Sequence, residues 1–428
     1  MSLAFLGYTG RDRFAAALRE LDVASGSSAA MHLVIACAWL FSFGIGRAPE
    51  GILFGALIGV SLVRLPQTLP MLAEVLKSSK PVLICMGLLL YIGVSAAWSP
   101  SEVKADWYPP RHMLYPVLLA PLLGRWRVLV WAYLAGITFQ ASWILIEYAL
   151  VKEYQYGYPL GSSSNVHFWG GHMATASMLA ACLALDGTRR AWPRALAVAA
   201  VTACVAAAVL IAGRTIVVAL VIGMAAAGTW GAIRIRMGWK IPTTVLACII
   251  VAGITFSSTF TARFQESLKL PSESSLRTRI HEFTSLRTWM WEITLTAWRD
   301  HPWCGWGRDA WVQVFQTRIK SLPPSEQIRP PDALEHLNTA HNTYLQALID
   351  QGAIGFGMVV AALGALVACA CRSRSILAMP LMALTAYWSF SSLMQSELNT
   401  SHGLIPFGLM MTFALATVIF PNRGDATR

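Results

Sequence analysis

From Ala195 to Gly231 the chain carries a single charged residue, Arg214, and uncharged apolar runs recur along most of its length. Inside a bilayer no water satisfies backbone amides, so such runs must bond internally, as helices, or close into barrels. A crossing helix needs about 17–25 apolar residues, whereas a barrel strand needs only about 9–11. The runs have helix length. Expected spans are 29–46, 50–63, 81–98, 112–124, 128–150, 170–186, 195–212, 215–233, 241–260, 353–371, 376–394 and 404–420. The second and fourth are short, as tilted or interfacial segments would be. The sequence thus predicts an all-α polytopic membrane protein with about twelve transmembrane helices. Charged residues are 13% of the chain and hydrophobic ones 56%, against about 25% charged in soluble domains. That excludes a disordered chain and an ordinary cytosolic enzyme.

Loop charge sets the expected orientation. With the N-terminus inside, 18 of the 33 basic residues fall on the cytoplasmic side, among them Arg64, Lys77, Lys80, Arg372 and Arg374. The other side holds 15, but ten of these lie in one long loop, 261–340, beside nine acids. Long loops orient weakly, so the useful comparison is 18 to 5, which puts both termini in the cytoplasm and the long loop outside. The net charge of +11 then records basic inner loops rather than a nucleic-acid surface. The expected units are a cytoplasmic segment 1–28, spans one to nine over 29–260, an outer region 261–352, and spans ten to twelve with a cytoplasmic tail over 353–428. Residues 11–22 place Phe14, Leu18 and Leu21 at helical spacing beside three arginines, which suits a short helix on the inner leaflet. No cleavable signal peptide is visible; the first apolar run reads as a signal anchor.

The outer loop is too aromatic for a linker. It holds Trp289, Trp291, Trp298, Trp303, Trp306 and Trp311. Leu286, Met290, Ile293 and Ala297 share one helix face, with Ser285 as the expected cap and Pro302 beyond the end. Gly305 and Gly307 form a turn, and 309–320 makes a second helix with Trp311, Phe315 and Ile319 on one side. The expected product is a small ordered lid whose tryptophans dock on the membrane surface or on sugar rings. His341 follows, at the head of a roughly ten-residue helix in which Thr343 and Gln346 have capping-box spacing. Gly352 stops that helix just before span ten.

The chemistry collects on this outer face. An Arg at membrane depth costs about 2.5–3.5 kcal/mol on insertion scales, so Arg214 marks either a snorkelling side chain or an anion site. Glu397, after span eleven, can pair with an arginine or orient a catalytic group. Arg277, Arg279 and Arg287 are further guanidinium forks that fit phosphate oxygens. No Asp-x-Asp or His/carboxylate cluster stands in the outer loops, so arginines replace a cation as the expected neutraliser of a pyrophosphate, with no metal and no cofactor. His341 can serve as a general base near neutral pH. The histidines at 112, 167, 172, 281, 301 and 336 lack such a frame in the sequence. Seven of the eight cysteines lie in spans; Cys304 is alone in the outer loop, and Cys369-x-Cys371 reads as bundle packing.

Three stretches resemble the O-antigen ligase and polymerase superfamily of bacterial inner membranes: Gly213-Arg214-Thr215; Arg287-x-x-x-Trp291 running on to Pro302-x-x-Gly305-x-Gly307; and His341-Asn342 followed by Gly352 and Gly355. The resemblance covers roughly 80–420. It implies a GT-C-like fold with a helical periplasmic loop domain and a multi-pass inner-membrane enzyme whose active site faces the periplasm. It implies an undecaprenyl-pyrophosphate-linked glycan as donor and a lipid A–core sugar as acceptor, with membrane lipids around both. It assigns the pyrophosphate to Arg214 and Arg287 and the acceptor hydroxyl to His341. Arg287, spaced to Trp291 as the family pattern requires, is preferred to Arg279, which stays a lesser candidate. Asn342, Tyr344 and Glu397 complete the expected substrate contacts. Within the family, a polymerase or a protein O-oligosaccharyltransferase is the alternative. A transporter fits the span count, but transporters usually place charge at the midplane between inverted repeats, and no such repeat is visible.

Overall fold

In a computed structural model of the chain, the structure describes residues 26–101, 108–151, 166–185, 191–211, 214–234, 281, 284, 286–323, 327, 337, 339–399 and 401–420. These residues form helices joined by short 3-10 turns, with no strand among them. The first two stretches hold α1 (Gly26–Ser42), α2 (Arg47–Ser78), α3 (Lys80–Val94), α4 (Tyr108–Arg111), α5 (Leu114–Leu119) and α6 (Trp126–Leu150). Then come α7 (Val166–Leu185), α8 (Ala191–Ile211) and α9 (Arg214–Arg234). The lid supplies α10 (Arg287–Trp298) and α11 (Trp311–Ser321), and the chain ends in α12 (Thr343–Arg372), α13 (Ala378–Ser391) and α14 (Ser401–Ile419).

Among the described residues six stretches are long and apolar enough to cross a membrane, and α1 and most of α14 are shorter apolar helices. The chain is thus a polytopic, helical membrane protein. The expected span 241–260 and the helix at 11–22 lie outside the described residues. Two expected boundaries change. Spans 112–124 and 128–150 join as one apolar path, Leu114–Leu150, because a 3-10 turn over Ala120–Arg125 carries the chain from α5 into α6. Span 50–63 grows into a 32-residue helix that continues through Pro66 and Pro70. Arg64 is therefore no loop cation: it is 2% exposed, and its guanidinium meets His32 Nδ1 at 2.9 Å. Removing it from the charge comparison leaves 17 to 5, with the sign unchanged.

Helix α14 carries no Asp, Glu, Lys or Arg and is buried along almost its whole length, as a largely apolar helix at the centre of a bundle is. Around it pack α7, α12 and α13. Helix α8 lies outside, with Trp192, Leu196 and Val198 exposed, side chains that cost nothing to leave in lipid. Close approach depends on small residues: a Cβ on Gly223 of α9 would sit 2.7 Å from the Ala383 carbonyl of α13.

The lid folds around its own core of Trp289, Met290, Ile293, Ala297, Trp311, Phe315 and Ile319. Both helices fall where the periodicity puts them. Trp311 stacks on Phe315 with ring centroids 4.3 Å apart and donates its indole N–H to Thr294 at 2.8 Å. Trp289 and Trp311 are thus spent on the lid core and not on docking; Trp303 is the exposed one, at 71%. Ser285 lies outside the described residues. The observed N-cap of α10 is Leu286, held at φ 64, while the Thr284 hydroxyl accepts from the Thr288 amide at 3.4 Å.

Candidate functional site

The lid is fastened to the bundle by backbone pairing around Gly352. Trp306 N donates to Ile349 O, Gly307 N to Asp350 O and Ala353 N to Pro302 O, each at 2.8 Å. The chains approach so closely that side chains have no room. A Cβ on Gly305 would lie 2.6 Å from the Asp350 carbonyl carbon, and one on Gly352 would clash with the Trp303 carbonyl. Both glycines also have positive φ, 69° and 70°, which L side chains adopt only with strain. Gly307 makes the third contact, against Ser99 after α3. This close packing is what the Pro302-x-x-Gly305-x-Gly307 pattern and Gly352 accomplish. Gly352 also breaks the helical path inside α12, so 343–351 and 353–372 are separate helical arms.

The first arm of α12 begins two residues after His341, which is half-buried and held at φ 49. For a bulky residue a left-handed backbone is uncommon and is tolerated where surrounding contacts enforce it. Those contacts are visible on both sides. Upstream, Trp291 donates its indole N–H to Ala340 O at 3.1 Å, and the Ala340 amide donates to Gln346 Oε1 at 2.9 Å. Downstream, Asn342 caps α12: its Oδ1 accepts from the amides of Tyr344 and Leu345, both at 3.0 Å. The expected Thr343–Gln346 capping box is replaced by this cap, because both side chains are used elsewhere. Gln346 donates to the buried carboxylate of Asp350 at 2.8 Å, and the Thr343 hydroxyl donates to Gln395 O at 2.8 Å.

The segment after α13 closes the same corner. Thr343 N donates to Ser392 O at 2.8 Å, Asn342 Nδ2 to Leu393 O at 3.1 Å and Tyr344 Oη to Ser389 O at 2.9 Å. The Glu397 amide donates to the Thr343 hydroxyl at 2.7 Å. The Glu397 carboxylate is 2% exposed and accepts a short hydrogen bond from Ser391. Burial pushes this carboxyl up from its ordinary 4.5 to about 7, against the downward pull of the Ser391 hydroxyl.

The structure therefore stitches together four of the expected residues, His341, Asn342, Tyr344 and Glu397. Arg287 opens α10, one turn before Trp291 and so on the same side of that helix; it is half-buried. Arg214 is the first residue of α9, though its side chain lies outside the described residues, as does Arg279 entirely. The direction of α9 is fixed at its far end, where Trp230 donates to Ala370 O near the end of α12 at 3.1 Å. Its start thus points toward the end of the bundle that carries Thr343.

Two features escaped the sequence reading, the framed histidines and one buried arginine. His281 is not unframed: it is 1% exposed, with Nδ1 2.7 Å from Thr288 Oγ1 and Nε2 3.8 Å from Glu292. Thr288 and Glu292 stand one helical turn apart on α10, a spacing that was available as a signal. His172 likewise sits inside α7, with Nδ1 2.8 Å from the Tyr133 hydroxyl. Arg308 is the second omission. It directly follows Gly307, is 7% exposed, and its backbone bonds Ser95 O at 3.2 Å and Ser99 Oγ at 2.6 Å.

Among the described residues no group of three or more His, Cys, Asp or Glu side chains is placed to hold a metal ion. Cys369 lies 3.2 Å from the Thr417 hydroxyl, within the bundle.

Residues 198–360 match the family model described as O-antigen ligase. The middle of this chain is similar to the O-antigen ligase family. The matched stretch runs from α8 through the lid to the second arm of α12, and so contains Arg214, Arg287, His341 and both lid glycines. Glu397 lies beyond it. Comparison with curated proteins returned no match.

Proposed function

We propose that the chain is an inner-membrane glycosyltransferase of GT-C type that moves O-antigen polysaccharide from undecaprenyl pyrophosphate to a sugar hydroxyl of lipid A–core, on the periplasmic side. The observation that carries this reading is the O-antigen ligase match over 198–360. It spans the Arg214, Arg287 and His341 positions and the segment whose backbone strain falls on His341.

In this reading Arg214 and Arg287 hold the donor pyrophosphate. A guanidinium about 4 Å from a phosphate charge contributes roughly 4 kcal/mol at an effective dielectric of about 20. Such fixed charge is worth most where negative charge grows on the leaving group. The acceptor oxygen attacks the anomeric carbon as the carbon–phosphate-oxygen bond breaks. The bonding pair leaves with the pyrophosphate, and the hydroxyl proton passes to His341. A single displacement inverts the anomeric centre and calls for no metal. Glu397, beneath Thr343, keeps the His341 corner in place; Asn342 and Tyr344 fix the start of α12, and Arg279 is a further donor contact.

The test is to delete the gene and examine the lipopolysaccharide. Uncapped core together with accumulated lipid-linked polymer supports the ligase. Core capped by a single repeat unit would make the chain a polymerase instead. Intact lipopolysaccharide with loss of protein glycosylation would make it an oligosaccharyltransferase.

A further inference from the structure

The far end of α12 presents a second feature, unrelated to the transfer chemistry. A cleft of about 670 Å³ opens between the start of α3, the end of α12 and the end of α14. Lys80, Arg372 and Arg374 line its mouth, with Ser78 beside them. All three cations are exposed, and among the described residues no carboxylate pairs with any of them. Ile84, Ala365 and Val418 add an apolar wall to the same lining. Ile84 and its neighbour Leu83 are 38% and 44% exposed, on a helix apolar enough to cross the membrane.

We propose that this cleft binds the phosphodiester headgroup of an anionic phospholipid, with its acyl chains descending along α3. Three cations lining one pocket repel one another, an anion among them offsets that repulsion, and headgroups lie at the ends of membrane-crossing helices. A soluble phosphate would satisfy the cations but would leave the apolar wall unused. A lipid uses both. Because three charges converge, a lipid with two phosphates binds more tightly than one with a single phosphate.

The experiment uses the full-length protein, purified in neutral detergent and titrated with cardiolipin, phosphatidylglycerol, phosphatidylcholine and inorganic phosphate, with native mass spectrometry as readout. The expected result is at least about a tenfold preference for cardiolipin over phosphatidylcholine, with phosphatidylglycerol between them. The triple variant Lys80→Gln/Arg372→Gln/Arg374→Gln loses the preference, while Lys77→Gln, at the same end of the molecule but outside the cleft, keeps it. Single Arg372→Gln and Lys80→Gln variants, each expected to weaken cardiolipin binding, serve if the triple variant is unstable. Equal binding of all lipids by the wild type, or an unchanged preference in the folded variants, overturns the proposal. So does competition by millimolar inorganic phosphate as effective as that by cardiolipin, which would assign the cleft to a soluble anion.

Discussion

The indole nitrogen of Trp291 lies 3.1 Å from the carbonyl oxygen of Ala340 and ties the lid helix that starts at Arg287 to the residue before His341. Ala340 is fully buried, so its carbonyl has no water to turn to if the donor is lost. An unsatisfied buried acceptor costs about 1–3 kcal/mol. Trp291→Phe keeps an aromatic ring, smaller than the indole, and removes the donor. Its expected effect is a fall of roughly tenfold in turnover, with donor binding retained, measured by transfer from lipid-linked donor to core acceptor. Unchanged turnover would show that this bond does not set the position of His341.

The proposed division of roles is separable by substitution. Arg214→Lys and Arg287→Lys keep the charge but lose the two-pronged geometry, so each should weaken donor binding and rescue poorly. His341→Ala should bind donor and lose about 10²–10⁴ in rate. Donor binding and turnover for the three variants, each checked for insertion and folding, decide the matter. Loss of donor binding in His341→Ala with full turnover in Arg214→Lys would reverse the assignment.

Glu397 gives the fold a pH dependence. Its folded-state pKa of about 7 stands above the ordinary 4.5, so the folded state favours the protonated form. The stability it contributes is fully present below pH 4.5 and is lost as pH rises through 7, on the order of 3 kcal/mol in all. Thermal unfolding in detergent from pH 5 to pH 8 should show a falling midpoint for the wild type. Glu397→Gln, which stays uncharged throughout, should flatten that slope; an equally steep slope in the variant would exclude Glu397 as its source.

Gly352→Ala tests the lid attachment. The new methyl would meet the Trp303 backbone, at a residue whose φ is +70°. The cost should reach a few kcal/mol, borne first by the lid pairing rather than by the bundle. Limited proteolysis should cut between α10 and α11 in the variant while the membrane helices stay protected. A wild-type digestion pattern would mean that the lid does not depend on this approach.

Cys304 is a built-in reporter of sidedness. It is exposed, whereas the other described cysteines are buried or half-buried. A membrane-impermeant thiol reagent should label intact spheroplasts at this residue, and Cys304→Ser should abolish the labelling. Labelling that appears only after lysis would place the lid in the cytoplasm.

Chain pattern alone determined a good deal of this molecule. Apolar run length dictates membrane helices, because hydrocarbon leaves the backbone no other partner. The 3.6-residue period of Leu286, Met290, Ile293 and Ala297 dictates α10, and Gly352 marks the break before the second arm of α12. Both are local effects, and local effects are written in local sequence. What only the tertiary structure decided depends on partners far along the chain. Arg64 reads as a loop cation until His32, from another helix, accepts its guanidinium. Thr343 reads as a cap until Gln395 and Glu397 claim its hydroxyl, which leaves the cap to Asn342. Glu397 is an ordinary carboxylate in sequence and an elevated one when buried beside Ser391. The glycines of the lid show the same limit. Their spacing was legible, but the backbone they make room for belongs to α12 and to the segment after α3, and only folding brings those segments within reach.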